Sequence, residues 1–354
     1  MLKELKRMIE IDVIEKVDQP TDWVDSVVYV TKPPGELRIC LYPKDLNNYV
    51  RRPHHYTQVI DDILPKLQGA SVFSILDARS GYWNVKLDDQ SKLRTTFNTP
   101  YGRYCFRRLP FGLVSAQDMF QKKVYQTFEG LPAVVAIADD IVVFGKTEAE
   151  HDEHMNNAMK RTQEVGLCLN PDKCVVKSHR IKSFGNNPWS KGLEPDPDKI
   201  AAIVDMTPPT NAQELQSFLG MVNYLSRYTP DRVTTTAPVR DLTKKDIIFV
   251  WGPELQKAFE NVKKAITAAS TLAYFDTTNK PVSFQTDASK RGVGATILQH
   301  GRPVVYASKS LTETESNYCN IERAMLGIGF GLERFHHYAY GRQVTIETDP
   351  KPLE

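Results

Sequence analysis

The chain has 354 residues, of which 41% are hydrophobic and 25% charged, and its formal net charge is +2. This length allows two or three domains with substantial cores, and the composition excludes disordered and fibrous proteins. The five cysteines, an odd number without any CxxC spacing, predict a reducing compartment and no structural zinc. The sequence lacks an apolar run of about 18 residues and a signal-peptide pattern, so neither a membrane span nor secretion is expected.

The first predicted elements are a helix and a hairpin. Residues 1–16 place apolar side chains at helical spacing among charged ones. Residues 25–31 and 36–41 have the pattern of strands, and the Lys-Pro-Pro-Gly sequence at 32–35 is typical of a turn. Asp61 and Asp62 are adjacent acids that would suit the positive end of a helix dipole.

Three carboxylates stand at the ends of apolar runs further along. A strand-like run ends in Asp77, and Asp139 and Asp140 separate two short apolar runs, which predicts two strands joined by a tight turn. An Asp-Asp pair in a hairpin is, by itself, most often a turn device. Three such acids can converge, and they would raise one another's pKa unless cations neutralised them. Oxygen ligands favour Mg²⁺ or Mn²⁺ over zinc, so a divalent-metal site is predicted.

Four motifs follow one another in this part of the chain. They are Leu-Asp-Ala-Arg-Ser-Gly-Tyr-Trp at 76–83, Thr-Phe-Asn-Thr-Pro-Tyr-Gly at 96–102, Arg-Leu-Pro-Phe-Gly-Leu at 108–113 and Ala-Asp-Asp at 138–140. In this order and spacing they resemble the polymerase motifs of reverse transcriptases from gypsy/Ty3-type LTR retrotransposons, whose Pol polyproteins carry a reverse transcriptase/ribonuclease H region. The resemblance covers essentially the whole chain. It implies an α+β fold, with a right-hand polymerase of fingers, palm and thumb, then a connection and a C-terminally truncated ribonuclease H-like α/β domain.

The resemblance implies an RNA-directed DNA polymerase, a nucleotidyltransferase that extends a primer 3′-OH by two-metal phosphoryl transfer. Asp77, Asp139 and Asp140 would be its catalytic residues and would hold two Mg²⁺ ions, or Mn²⁺ in their place. The implied partners are RNA and DNA template–primer, RNA–DNA hybrid and deoxynucleoside triphosphates.

Further roles are carried over from the family onto single residues. Arg38 would meet the triphosphate, with Lys32 as a weaker candidate, and a surface cation is the alternative for each. Tyr82 would close the space beside the sugar 2′ carbon and reject ribonucleotides, or else be a core tyrosine. Lys173 would assist proton transfer to the leaving pyrophosphate, or else be a surface lysine. The implied nucleotide-binding residues are Arg38, Ala78, Tyr82, Phe111 and Gly112, and the implied primer grip is Phe184 and Gly185.

Several positions depart from the family pattern. An acid and an arginine usually stand where this chain has Tyr42 and Lys44, and a proline usually stands where it has Gln117. The segment around the primer grip is more polar than usual. The remaining departures are Ser183, Asn186, Asn187 and Pro350.

Two other patterns leave alternatives open. His151 and His154, at helical i, i+3 spacing, could bind zinc, but a solvated helix start after Thr147 is favoured because no third ligand accompanies them. Residues 91–125 carry seven cations against a single acid, Asp118, which predicts either a basic track for nucleic acid or a solvated basic face.

A Pro-rich segment at 194–199 predicts a domain boundary. The predicted division is 1–195 for fingers and palm, 196–275 for thumb and connection, and 276–354 for the ribonuclease H-like domain. Within 196–275, Asn211 is the predicted cap of a helix.

Three acids in the last region resemble the ribonuclease H metal site. Asp287 and Asp349 follow strand-like runs and Glu322 lies in a helical run, although each alone could be a surface carboxylate. The family's fourth acid would fall after Glu354, so an incomplete endonuclease module is expected.

Two functions remain in competition. The first is the polymerase with its associated ribonuclease H module. The second is a decayed or domesticated retroelement fragment that binds nucleic acid without turnover, which the departures favour and the intact acids oppose. A cytoplasmic or nuclear location is expected for either.

Overall fold

The structure is a computed structural model that describes residues 1–32, 35–56, 58–230, 232–244, 247–278 and 280–348. The chain forms two compact units. The first unit comprises Met1–Ile63 and Ser71–Ser178, and the second comprises Leu64–Ala70 and His179–Glu354. Among the described residues, every helix is too short or too polar to cross a membrane.

The first unit mixes short strands with six helices over the described part of residues 1–178. Its helices are α1 (Leu2–Glu10), α2 (Leu46–Tyr49), α3 (Ile60–Ile63), α4 (Asp89–Arg94), α5 (Ala116–Phe128) and α6 (Glu148–Val165). Its strands are β1 (Ile14–Lys16), β2 (Ser26–Lys32), β3 (Glu36–Tyr42), β4 (Val72–Asp77), β5 (Phe97–Thr99), β6 (Gly102–Phe106), β7 (Val134–Ile137), β8 (Asp140–Gly145) and β9 (Val175–Ser178).

The N-terminal part of this unit differs from the single helix predicted over 1–16. Helix α1 ends at Glu10, and Asp12 adopts a left-handed φ of 59° that breaks the helix. The chain then enters β1, which pairs with β6 in a three-stranded sheet. The predicted hairpin is confirmed as β2 and β3, although Pro33, Pro34 and the Lys32 side chain lie outside the described residues.

The central sheet of the first unit has the strand order β7-β8-β4-β9 and is antiparallel throughout. Five of the six residues of β4 are buried, as expected for a continuous apolar run between covered faces. Helices α5 and α6 supply part of the core, which includes Leu76, Phe120, Val124, Ile141 and Ala158. This packing fixes the end of the sheet where the predicted acids stand.

The second unit contains a hairpin, a group of helices and a larger sheet. Its helices are α7 (Pro197–Val204), α8 (Ala212–Tyr224), α9 (Arg232–Arg240), α10 (Pro253–Thr267), α11 (Glu313–Ser316), α12 (Asn320–Arg334) and α13 (His336–Ala339). Its strands are β10 (Asn186–Trp189), β11 (Gly192–Pro195), β12 (Val282–Ala288), β13 (Gly292–Gln299), β14 (Arg302–Ser310) and β15 (Val344–Thr348).

The larger sheet of the second unit has the order β14-β13-β12-β15, in which β12 and β15 run parallel. Helix α12 packs on it through the small residues Gly327 and Gly331. A Cβ at position 331 would stand 3.1 Å from the Ala295 Cβ, so glycine allows a close helix–sheet approach. The predicted cap of α8 is confirmed, since the Asn211 Oδ1 accepts from the Glu214 N–H at 2.8 Å.

Candidate active site

The register of β4 and β8 brings two of the predicted acids face to face. Asp77 ends β4, Asp140 begins β8, and the two are direct partners in the antiparallel ladder. Directly opposite residues in such a ladder have Cβ atoms about 4.5–5.5 Å apart. Asp139 lies in the tight turn between β7 and β8, so the three acids share one end of the sheet.

The turn that carries Asp139 depends on a buried glutamine that the sequence did not reveal. Ala138 adopts a left-handed φ of 53°, and its N–H donates to the Gln121 Oε1 at 2.8 Å. The same side chain donates from Nε2 to the Ala136 carbonyl at 3.1 Å. Gln121 is only 2% exposed, so it holds both sides of the turn from within the core. A polar residue beside Phe120, on the buried face of a predicted helix, was the available signal.

A glycine lets the chain after β4 approach this turn closely. A Cβ at Gly81 would stand 2.6 Å from the Asp139 Oδ1 and 2.8 Å from the Phe120 Cζ. Neither distance is sterically tolerable. Gly81 therefore permits the 3₁₀ turn Gly81–Asn84, which contains Tyr82, to lie against the acids.

The acids interact electrostatically. The Asp139 side chain is exposed at the rim, yet the surrounding protein removes part of its hydration, and this desolvation raises its pKa. The negative charges of Asp77 and Asp140 raise the pKa further, whereas Lys173 and Arg38 lower it. The Lys173 Nζ lies 3.7 Å from the Asp77 Oδ2. The positive side chains of Lys173 and Arg38 thus interact favourably with these acids.

A cavity of about 410 Å³ opens beside the acids and gathers most of the predicted nucleotide site. The Arg38 guanidinium lies 4.1 Å from the centre of the Phe111 ring at its wall. Asp140, Tyr82 and Gly112 are absent from its lining. The predicted site residues that line it are Arg38, Asp77, Ala78, Phe111, Asp139 and Lys173.

Tyr82 and Gly112 stand just behind that lining. The Tyr82 ring packs 4.8 Å from the Phe111 ring. Gly112 has a φ of 111°, and a Cβ added to it would stand 1.9 Å from the Leu41 carbonyl oxygen. Its close backbone approach is therefore to the chain's own strand β3, where the Leu41 N–H also donates to the Phe111 carbonyl.

The donor set suits a hard divalent cation, because it consists of carboxylate oxygens whose mutual repulsion raises the Asp139 pKa. Within the described ranges, however, no three His, Cys, Asp or Glu side chains stand close enough together to hold a metal ion. The three acids are therefore neighbours in the described structure, but their side chains do not form one coordination shell.

The predicted ribonuclease H acids are arranged differently. Asp287, at the exposed end of β12, lines a cavity of about 500 Å³ with Gln285 and Glu347, whose side chains hydrogen bond at 2.8 Å. Glu322 does not line that cavity, and its Oε2 accepts from the Cys319 N–H at 2.8 Å, within the capping box that begins α12. Asp349 and Pro350 lie outside the described residues.

The predicted primer-grip residues belong to the second unit. Phe184 and Gly185 both have left-handed φ, 54° and 69°. The Tyr224 hydroxyl donates to the Gly185 carbonyl at 3.0 Å, and a Cβ at position 185 would stand 1.7 Å from that hydroxyl oxygen. The unusual polarity nearby has a structural use, because the buried Tyr228 hydroxyl donates to the Asn186 Oδ1.

Two other predictions need correction. His151 is fully buried rather than solvated, with its Nε2 2.8 Å from the Ser74 Oγ. The basic track of 91–125 is partly neutralised by ion pairs with acids of the N-terminal segment: Arg107 and Arg108 pair with Asp12, and Lys92 pairs with Glu15.

Family models and known proteins resemble this chain over most of its length. Residues 30–221 match the model for reverse transcriptase (RNA-dependent DNA polymerase), and residues 251–346 match the RNase H-like domain found in reverse transcriptase. The retrovirus-related Pol polyprotein from transposon 412 of Drosophila melanogaster is 34% identical over 83% of this chain and 24% of its own length. The transposon Tf2-3 polyprotein of Schizosaccharomyces pombe is 31% identical over 88% of this chain and 24% of its own length. The chain thus spans about a quarter of these relatives.

Solved structures share the fold at lower identity. The foamy viral protease-reverse transcriptase in complex with dsDNA aligns with a TM-score of 0.90 and 22% identity, covering 99% of this chain and 74% of that one. The same viral protein in complex with RNA/DNA hybrid aligns with a TM-score of 0.84 and 21% identity, covering 99% of this chain and 48% of that one.

Proposed function

The chain belongs to the reverse transcriptase (RNA-dependent DNA polymerase) family, and we propose that it extends a primer 3′-OH with deoxynucleotides on an RNA template. The family indicated by the four sequence motifs is confirmed, as is the α+β fold class. One observation carries the proposed activity. The acids Asp77 and Asp140 are ladder partners, with Asp139 in the adjoining turn, beside a cavity that also contains Arg38 and Lys173.

The three acids would hold the two Mg²⁺ ions, or Mn²⁺, of the reaction. When bound, these ions supply charge stabilisation for an in-line phosphoryl transfer. The raised pKa of Asp139 supports this assignment, because a cation relieves the repulsion that causes part of the shift. Within the described ranges these side chains do not form a ready coordination shell, so holding the ions would require them to change position.

The other side chains of the cavity bind and orient the nucleotide. Arg38, held over the Phe111 ring, is positioned to contact a triphosphate, for which a guanidinium fork is well suited. Lys173, largely exposed beside Asp77, can donate a proton to the leaving pyrophosphate. Ala78 and Phe111 would form the surface under the base pair, with Gly112 behind them against β3.

For the second unit we propose contacts with primer and duplex rather than strong hydrolysis. Phe184 and Gly185 would hold the primer end, and residues 196–275 would form the thumb and connection. The ribonuclease H-like domain, assigned to 276–354, would contact RNA–DNA hybrid. Its hydrolysis through Asp287, Glu322 and Asp349 would be weak, because the Glu322 carboxylate is committed to its helix cap.

Template–primer, hybrid and deoxynucleoside triphosphates are therefore the proposed partners, in the cytoplasm or nucleus. The related foamy viral protein in complex with dsDNA and with RNA/DNA hybrid supports the choice of nucleic-acid partners.

The competing function is a decayed or domesticated fragment that binds nucleic acid without turnover. The departures at Tyr42, Gln117, Ser183 and Pro350 favour it, whereas the intact acids oppose it.

Primer extension on an RNA template with Mg²⁺ or Mn²⁺ separates the two functions. We expect incorporation by the parent protein and none by Asp139→Asn. A parent that binds template–primer but incorporates nothing would support the scaffold function. Incorporation that persists in Asp139→Asn would remove the acids from the active site.

A further inference from the structure

The departure at position 117 places a hydrogen-bond acceptor beside Tyr82, a predicted nucleotide-site residue that stands behind the cavity lining. The Tyr82 hydroxyl donates to the Gln117 Oε1 at 2.8 Å. The proline that usually stands at this position has no side-chain acceptor. The bond is therefore a property of this chain rather than one that the family pattern supplies.

The Tyr82 ring packs at the edge of the apolar core, where two aromatic rings are among its neighbours. It lies 4.8 Å from the Phe111 ring and 5.7 Å, edge-on, from the Phe120 ring. Such contacts restrict the tilt of a ring but leave its hydroxyl end free to shift. The bond to Gln117 fixes that end.

Gln117 stands on the element that also holds the acid-bearing turn. It lies in the first turn of α5, one turn before Gln121, whose amide binds Ala136 and Ala138. Helix α5 therefore sets the positions of the Tyr82 hydroxyl and of Asp139 together. The Tyr82 pKa is raised by desolvation and by the charge of Asp139, so the hydroxyl keeps its proton and remains a donor at neutral pH.

We propose that Gln117 is a specificity-determining positioning residue, which holds the Tyr82 ring where the 2′-OH of a ribonucleotide would otherwise fit. The inference rests on the proposed polymerase function and deepens it. A ring that cannot swing aside rejects the larger sugar by steric collision, and a released ring accommodates it.

The effect should be modest and selective. A neutral hydrogen bond of this kind changes an equilibrium by about twofold to tenfold. Gln117 is exposed, so replacing it leaves little buried surface unsatisfied and the fold intact. The expected change is therefore in the ratio of kcat/KM for a deoxynucleotide to kcat/KM for the matching ribonucleotide.

Gln117→Leu, which keeps size without an acceptor, should lower this ratio by about twofold to tenfold. Gln117→Glu keeps an acceptor at the same reach and should preserve the ratio. Tyr82→Phe removes the donor, and Gln117→Leu made in that background should cause no further loss. A purely structural role would instead lower kcat for both nucleotides equally.

The proposal is overturned if Gln117→Leu leaves the ratio unchanged, or if its effect persists in full without the Tyr82 hydroxyl. Equilibrium binding of dGTP and GTP to the protein–template–primer complex gives the same comparison without turnover. A parent that incorporates nothing therefore fails the polymerase assignment, while the binding ratio still decides the role of Gln117.

Discussion

The two acid sites of this chain differ in what joins their members. In the first unit Asp77 and Asp140 stand on strands paired by backbone hydrogen bonds, with Asp139 in the connecting turn. In the second unit Asp287 stands on a strand and Glu322 on a helix, joined only by side-chain packing. A ladder register brings opposite residues together by necessity, whereas helix packing leaves the rotation of the helix open.

A structural use of the Glu322 carboxylate explains the rest of the difference. Glu322 occupies the third position of α12, where a carboxylate accepts from the N–H of the capping residue. Asp139 has no comparable backbone partner in the described structure, and the charges of Asp77 and Asp140 raise its pKa against the opposing effect of Lys173 and Arg38. A carboxylate is therefore a structural cap in one unit and a charge repelled by its neighbours in the other.

The largest expected effect is the loss of primer extension when Asp77, one of the two acids paired between β4 and β8, is replaced. Asp77→Asn should lower primer extension by about a hundredfold or more, because the charge stabilisation by bound metal is worth several kcal/mol. Asp205→Asn, at an exposed position after α7, is the matched control and should behave like the parent. Steady-state rates on an RNA template give the comparison. Equal losses in both variants would mean that charge in general, rather than this site, is responsible.

The next effect tests whether the turn must be held. Gln121→Leu removes both hydrogen bonds to the turn and leaves partly buried backbone groups of Ala136 and Ala138 without these partners. We expect a loss of about 2 kcal/mol in the free energy of unfolding and a lower kcat. Gln126→Leu, exposed on the same helix, is the control. Urea unfolding and extension rates are measured on both variants. Equal stabilities and equal rates for Gln121→Leu and Gln126→Leu would refute the role of Gln121.

Replacing Glu322 tests whether this acid of the second unit is a helix cap rather than a catalytic residue. Glu322→Ala should lower the free energy of unfolding by about 1 kcal/mol, as expected for a lost capping interaction, with little change in hybrid hydrolysis. Chemical unfolding and cleavage of a labelled RNA–DNA hybrid measure the two quantities. A tenfold fall in cleavage with unchanged stability would make Glu322 catalytic and remove the contrast between the units.

The smallest expected effect is on the free energy of unfolding without divalent cations, where Asp77 and Asp140 repel the Asp139 charge. Its folded-state pKa lies above the ordinary value of 3.8, so the folded state binds the proton more tightly than the unfolded state. Ionisation therefore costs stability as pH rises through the raised pKa. Asp139→Asn should increase the free energy of unfolding at neutral pH, and the increase should vanish below the ordinary Asp pKa. A variant less stable than the parent at pH 7 would contradict this sign.

The sequence predicted the elements with strong patterns. The apolar runs on either side of Asp139 and Asp140 became β7 and β8, and Asn211 capped α8, because strand periodicity and capping are local properties. Strand pairing then followed from burying those runs in one sheet.

Contacts set by distant residues escaped prediction. His151 lies in an acidic, apparently solvated helix start, yet a Cβ at Gly145 would stand 2.5 Å from its backbone nitrogen, so glycine lets α6 press against β8 and buries the imidazole on Ser74. Gln121 likewise gained its role from a turn that a single sequence does not identify as its partner. Glu322 differs, because its partner Cys319 is only three residues away and the cap is a local contact.

Mn²⁺ binding, measured by the electron spin resonance of the free ion, tests most directly whether the acids of the β4–β8 ladder form a metal site. We predict that Asp77→Asn and Asp139→Asn each lose the tightest class of Mn²⁺ site, whereas Asp205→Asn retains it. A titration curve for the Asp77→Asn/Asp139→Asn double variant that coincides with the parent's would contradict the assignment.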